Sequence, residues 1–397
     1  MKTRRRLFFI TLSDVEQSPY AEIALPALAA DGWAITVAAP NAGRSLLRSV
    51  RPFQCREIEL ASSGSGRQQV GLLPALKALL VARFGPYDVI YINSLPAGVR
   101  AAVMLAGPLL GKKIVYHSPD YFDPLTHPIY FRLEGRLCRN ADLYVNNEFH
   151  RGYITQALHR MRCPVITAPP NLPLSWPCLD PSPAKRREMA GEGEEAAFVL
   201  MLHGGYSELR MVPQLLKALA LLPQHVRLVM TGSGKREPEV DGMLYELGLA
   251  GRVFRLPRLG FRDLLAYTVN ADCGVLFYQN NDLGNFFTAP GRITEYLACG
   301  LPVLASNHTG LEDLVLKLEL GETVLSTEPE SIAAGVMRLA AAVSHGRFQR
   351  QTMREKFLGR LAFDYWEPLI VDAFRQLTTG PKKSALMRPP FPWLLKP

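Results

Sequence analysis

The chain has 397 residues, 48 % of them apolar and 20 % charged, a balance that excludes a disordered polypeptide and suggests two or three domains. No apolar run reaches the roughly 18 residues of a bilayer-spanning helix, which argues against a spanning protein. Lys and Arg total 45 against 36 acidic residues, a formal charge of +9 that favours anionic partners: nucleotide phosphates, acidic lipid headgroups or nucleic acid.

The N-terminal MKTRRRLFFITL starts with the charge of a signal peptide, but its apolar run at 7–12 is too short and Ser13-Asp14 follows directly. It predicts a buried first strand. A helical stretch at 20–30 and a strand at 34–39 come next, then a strand at 88–93, a helix at 97–106, and strands at 113–117, 143–146 and 164–168. Strands separated by helices predict β-α-β units and a parallel sheet. Functional groups in such sheets sit just past the carboxyl ends of strands. Asp14, Asn93, His117 and Asp120 hold those positions.

Residues 169–195 lose the periodicity and are rich in Pro and charge, which predicts a linker over 176–194. The pattern then restarts, with strands expected at 198–202, 227–231, 253–256, 273–277 and 303–305 and helices at 211–221, 239–247 and 262–270. The expected division is an N-terminal domain over 1–175, a second α/β domain over 195–345, closing helices over 346–380 and a basic, apolar tail over 381–397. The tail is compatible with a surface segment or with a contact on an anionic membrane. The cysteines at 55, 138, 163, 178, 273 and 299 form no Cys-x-x-Cys pair, so reduced thiols and a cytoplasmic setting are expected. Glu134, Arg136 and Arg139 read as an exposed charged helix face, and His127, His150 and His159 have no partner pattern.

The densest signal is NFFTAPGRITEYLACGLPVLASN at 285–307. Pro290 suits the first position of a helix and Gly300 the position past its end, predicting a helix over 290–299. Ile293, Tyr296 and Leu297 would be its buried face. Arg292 and Glu295, three apart, share another face. A cation in the first turn opposes the macrodipole, so Arg292 makes sense beside a bound anion; a surface ion pair with Glu295 is the plain alternative. Glu295 could accept from two ribose hydroxyls. The second signal is HGGYSELR at 203–210, where Gly204-Gly205 lets a backbone approach a ligand, Ser207 or Glu208 could cap the next helix, and Arg210 could form a second phosphate clamp. The third, Thr231-Gly232-Ser233-Gly234-Lys235, lacks Walker spacing and reads as a tight loop lining a pocket.

In this order and spacing, HGG with Arg210, LVMTGSG, LPRLG, ADCGVLF and PGRITEYLACGLPVLAS resemble the nucleotide-sugar-binding half of family-4-like glycosyltransferases with the GT-B fold. The resemblance covers about 195–345. It implies an α/β protein of two Rossmann-like domains facing each other across a cleft. It further implies that Arg210 and Arg292 hold the donor diphosphate, that Glu295 binds ribose, that Gly204, Gly205 and Gly232 border the phosphates, and that Pro257, Arg258 and Leu259 meet the nucleobase. His117, with Asp120, would stand near the transferring sugar, as a contact or a proton carrier. Asp14 would touch or activate the acceptor. The family's first Glu is replaced here by Phe287, with Asn285 two residues away as a substitute, which leaves donor sugar and stereochemical outcome open. The expectation is a metal-independent, retaining transfer from a nucleoside-diphosphate sugar to a saccharide or lipid-linked acceptor, without a cofactor. A nucleotide-sugar epimerase of the same fold and a non-catalytic nucleotide-sugar-binding protein are the alternatives. Scattered basic residues without stacking aromatics argue against nucleic acid.

Overall fold

The computed structural model describes residues 4–379 apart from 17, 64–68, 94–110, 119–120, 170, 178, 195, 207–209, 233, 235 and 289. The expected helix at 97–106, Asp120, Ser207, Glu208, Ser233, Lys235 and the tail lie outside the described residues. The chain divides into two units, one of residues up to Trp176 together with those from Phe363 on, the other of Pro177–Ala362.

In the first unit, apolar runs with buried neighbours on both sides form a sheet of parallel strands. These are β1 (Arg6–Thr11), β2 (Ala34–Ala39), β3 (Cys55–Glu59), β4 (Val89–Asn93), β5 (Lys113–Ser118), β6 (Leu143–Asn146) and β7 (Val165–Thr167). Their order is β3-β2-β1-β4-β5-β6-β7, with Phe9 level with Val37 and Tyr91. Successive β1 residues serve opposite cores: Phe8 and Ile10 pack on one face, Leu7 and Phe9 on the other. Helices α1 (Leu25–Ala30), α2 (Leu46–Val50), α3 (Leu72–Phe84), α4 (Pro128–Asn140) and α5 (Phe149–His159) connect the strands. The helix expected over 20–30 is a 3-10 turn at Pro19–Glu22 followed by α1.

Among the described residues the sequence reading missed Cys55–Glu59 and the short antiparallel pair Ser62–Ser63 and Gln69–Val70 here, and Gly321–Val324 in the second unit. Cys55–Glu59 and Gly321–Val324 are edge strands, and CREIE carries charges at Arg56, Glu57 and Glu59, as edges commonly do. Glu134 also differs from expectation. It is 2 % exposed, accepts from the Tyr116 hydroxyl at 2.9 Å and lies 3.6 Å from His159 Nε2. Gly135 makes room for that imidazole: a Cβ there would lie 2.7 Å from His159 Nδ1. Arg136 and Arg139 are exposed as expected, and Glu134 alone turns inward, into a buried polar pair with His159.

The second unit repeats the scheme with β8 (Phe198–His203), β9 (Val226–Thr231), β10 (Val253–Leu256), β11 (Cys273–Leu276), β12 (Val303–Ser306) and β13 (Gly321–Val324), all parallel in the order β10-β9-β8-β11-β12-β13. Sequence order reverses between β8 and β11, and such switch points open a crevice at the strands' carboxyl ends. Helix α6 (Pro183–Ala190) occupies the stretch read as linker: the Ser182 hydroxyl accepts from Lys185 N, and Arg186 pairs with Asp272 at 2.8 Å. The other helices are α7 (Val212–Leu221), α8 (Glu237–Glu246), α9 (Phe261–Thr268), α10 (Leu283–Phe286), α11 (Arg292–Ala298), α12 (Thr309–Lys317), α13 (Pro329–Ser344) and α14 (Arg350–Lys356). The segment 346–380 is shared between the units. Helix α14 packs on α11, whereas Phe363, Trp366, Ile370 and Phe374 enter a core of the first unit.

Gly274 in β11 is there for space. A Cβ at this position would lie 2.2 Å from the Tyr296 ring, and Tyr296 is wholly buried. Overpacking a rigid core costs about 3 kcal/mol at its upper range. Gly274→Ala should therefore lower the melting temperature of the second unit by roughly 6–12 °C. Scanning calorimetry checks this, and a shift no larger than a surface substitution gives would show that the ring can move aside.

Candidate functional site at the switch point of the second sheet

Strand β8 ends at His203, and Gly204 follows with φ +109°. The next strand, β9, ends at Thr231 and is followed by Gly232 at φ +117°. Only glycine enters this region freely. The two exits are packed against each other: a Cβ on Gly232 would lie 2.6 Å from Gly204 O and 3.3 Å from Gly205 N. A Cβ on Gly204 would lie 3.4 Å from Arg292 Nη1. The glycines thus keep side chains out of the crevice mouth and bring a guanidinium over bare backbone.

Arg292 and Arg210 converge. The Arg292 guanidinium donates to the His203 carbonyl and to the Tyr278 hydroxyl. Its centre lies 5.2 Å from the Tyr278 ring centroid, and that of Arg210 lies 4.5 Å from the same ring. Tyr278 lies two residues past the end of β11, so one aromatic side chain at the switch point gathers two cations contributed by distant segments. Arg210 Nη1 is buried and, among the described residues, has no hydrogen-bond partner. A buried cationic donor left unpaired is costly unless an anion meets it. Sequence reasoning missed Tyr278; the visible signal was its place just past the end of an apolar strand.

Helix α11 begins at Arg292 and ends at Ala298, shorter at both ends than the 290–299 expected. Gly291 precedes it and Gly300, at φ +73°, follows it. With barely two turns its dipole is small, so the guanidiniums carry most of the positive potential. Glu295 faces inward. Its side chain is 7 % exposed, and Oε2 lies 2.9 Å from His203 Nδ1. His203 Nε2 lies 2.7 Å from Thr268 Oγ1, and the Thr268 hydroxyl donates to Leu264 O at 2.7 Å. This chain fixes the carboxylate in one orientation. Glu295 therefore pairs with a buried imidazole rather than with Arg292. Tyr296 supports the same corner: its hydroxyl accepts from His203 N at 3.0 Å and lies 3.4 Å from Val275 O, tying the ends of β8 and β11 together.

Pro257 and Arg258 are exposed and Leu259 is half-buried, in the turn between β10 and α9. Gly232 N donates to Leu256 O at 3.3 Å, which sets this turn beside the glycine exits. Asn285 is held locally. Its amide donates to Asn281 Oδ1 at 2.6 Å and Asp282 Oδ2 at 3.0 Å, and its carbonyl accepts from His308 Nδ1 at 3.2 Å.

In the first unit the other expected residues sit at carboxyl ends of strands. Asp14 follows β1, with its carboxylate accepting from Glu16 N and from Asn41 Nδ2, both at 2.9 Å. His117 in β5 is 4 % exposed, with Nδ1 2.9 Å from the Tyr91 hydroxyl and Nε2 2.6 Å from Asn147 Oδ1. Burial pushes its pKa down to about 4. Both ring nitrogens are engaged, and burial disfavours the charged imidazole.

Comparison with known proteins agrees with this architecture. Residues 197–342 match the family described as Glycosyl transferases group 1, and residues 20–166 match Glycosyltransferase Family 4. No curated protein matches the chain by sequence. Among solved structures, Anabaena HepE in complex with UDP-glucose is similar, with a TM-score of 0.70 at 16 % identity, over 94 % of this chain and 99 % of that one. Sucrose-phosphate synthase from Thermosynechococcus elongatus gives 0.72 at 18 % identity, over 94 % and 99 %. A glycosyltransferase from Rickettsia africae gives 0.67 at 14 % identity, over 96 % and 100 %.

Proposed function

We propose that the chain, whose two halves match glycosyl transferases group 1 and glycosyltransferase family 4, is a GT-B glycosyltransferase that transfers a sugar from a nucleoside diphosphate to a saccharide or lipid-linked acceptor. The single observation that carries the donor site is the meeting of Arg210 and Arg292 on Tyr278, with a guanidinium nitrogen of Arg210 buried and, among the described residues, without a hydrogen-bond partner. Departure of the nucleotide breaks the C1–O bond and leaves negative charge on the β-phosphate. Two fixed guanidiniums at that point stabilise the developing charge without reorganising. On this reading the reaction needs no metal and no cofactor.

The remaining roles follow from position. Glu295, oriented by His203, would accept from ribose hydroxyls. The glycines at 204, 205 and 232 would border the diphosphate, and the turn Pro257, Arg258 and Leu259 would meet the base. Asn285, its amide turned to Asn281 Oδ1 and the Asp282 carboxylate, would reach the donor sugar only after breaking those bonds. Asp14 would touch the acceptor. His117 would contribute a neutral contact near the sugar, with Asp120 beside it in sequence. Retention of configuration is part of the proposal, and so is a cytoplasmic setting, which fits the free thiols of Cys55, Cys138, Cys163, Cys273 and Cys299.

The test is a panel of nucleoside-diphosphate sugars incubated with the chain and with saccharide or polyprenyl-linked acceptors. Free nucleoside diphosphate should accumulate only when acceptor is present. Turnover of donor alone to an isomeric sugar would replace the proposal by an epimerase. Binding without turnover across the panel would leave a donor-binding protein.

A further inference from the structure

Helix α3 wears its side chains inside out. The residues it turns to the sheet are small, Ala75, Ala78 and Ala82, with one Leu79. The large apolar residues face outward: Leu73 is 63 % exposed, Leu80 56 % and Phe84 81 %, with Leu72, Leu76 and Val81 beside them. At about 100° per residue, Leu73, Leu76, Leu80 and Phe84 fall within one stripe centred on Leu80. Lys77 and Arg83 fall about 60° to either side of it. The sequence LLPALKALLVARF contains no acidic residue. Lys112 adds a third cation at the end of the helix, where its ammonium donates to Gly85 O at 3.4 Å.

A helix apolar all round belongs in a core or a bilayer, not in water. Here one side is already in a core. An apolar stripe with basic flanks is the pattern of a helix lying in a headgroup region, where the long Lys and Arg side chains reach up to phosphates while leucines enter the acyl boundary. We propose that the outer face of α3 docks the protein on an anionic lipid bilayer. Charge decides the occupant. A second copy of the chain would set Lys77 and Arg83 against cations, with no carboxylate on the face to pair them. The C-terminal tail, PKKSALMRPPFPWLLKP, is itself basic and no better a partner. No described helix is long and apolar enough to cross a membrane, so the contact is interfacial. This inference concerns the first unit alone and does not depend on the donor reading.

The full chain should co-sediment with vesicles of equimolar phosphatidylglycerol and phosphatidylcholine and weakly with phosphatidylcholine alone. Leu76→Glu/Leu80→Glu should weaken that partition by about tenfold or more, two buried leucine side chains being lost from the contact. Both positions face out, so melting temperature and nucleoside-diphosphate binding should not change. Lys77→Gln/Arg83→Gln should reduce binding to the anionic vesicles only. Lys382→Gln/Lys383→Gln in the tail should leave it intact. The proposal is overturned if the wild type ignores anionic vesicles, if the leucine variant partitions as the wild type does, if only the tail variant loses binding, or if the leucine substitutions act by dissolving a dimer seen in sedimentation.

Discussion

Arg292→Ala should lower kcat/KM for the donor by about 10²–10³-fold, the range seen when one preorganised donor to a developing oxyanion is removed. Arg292 reaches both the His203 carbonyl and the Tyr278 hydroxyl, so the loss also frees the aromatic ring that holds Arg210. The two arginines should therefore behave as a unit. Arg210→Ala should cost a similar factor, and the double variant should be little worse than either single one, because the shared diphosphate is already misplaced. Arg292→Lys keeps the charge without the planar fork and should fall between wild type and Ala. Steady-state release of nucleoside diphosphate and calorimetric titration with UDP, the nucleotide of the HepE complex, read the effect. Wild-type affinity and turnover in both single variants would remove the donor site from this corner.

Acid should weaken the first unit through His117. In the folded chain burial lowers its pKa from 6.5 to about 4, whereas the unfolded chain titrates near the ordinary value. Between those two pH values the unfolded state binds the proton and the folded state does not, so stability is present above pH 6.5 and is lost as pH falls towards 4. From pH 7 to 5 this amounts to about 2 kcal/mol. Of the four tryptophans, Trp33, Trp176 and Trp366 belong to the first unit, Trp393 stands in the tail outside the described residues, and 177–362 contains none, so tryptophan fluorescence in urea does not report the second unit. His117→Gln should be less stable at pH 7 yet nearly flat down to pH 5. His308 in the second unit is also lowered by burial and acts in the same direction, but invisibly to this probe. An unchanged acid slope in the Gln variant would assign the loss to other groups.

Much of the fold was legible because central strands of parallel sheets are buried on both faces and must be apolar throughout. LFFIT, VIYIN, FVLML and VRLVMT could hardly be anything else. CREIE and GETV were not legible, since an edge strand meets solvent and shares its composition with loops. The linker reading of 176–194 failed at α6 for a related reason. A short polar helix held by one cap and by Arg186 has no apolar period to reveal it.

Local chemistry, likewise, was written in the chain. Gly204 and Gly232 mark backbone that must turn through positive φ, Gly300 ends a helix, and an arginine stands in a first turn. Convergence was not written there. That Arg210 and Arg292 share Tyr278, and that Glu295 is held by His203 rather than by the arginine three residues before it, follow from the strand order, which sets β8 beside β11 and brings side chains about 90 positions apart within 3 Å of each other. Hydrogen bonds and cation–ring contacts act over a few ångströms, and distance in space is a property of the folded sheet, not of the spacing along the chain.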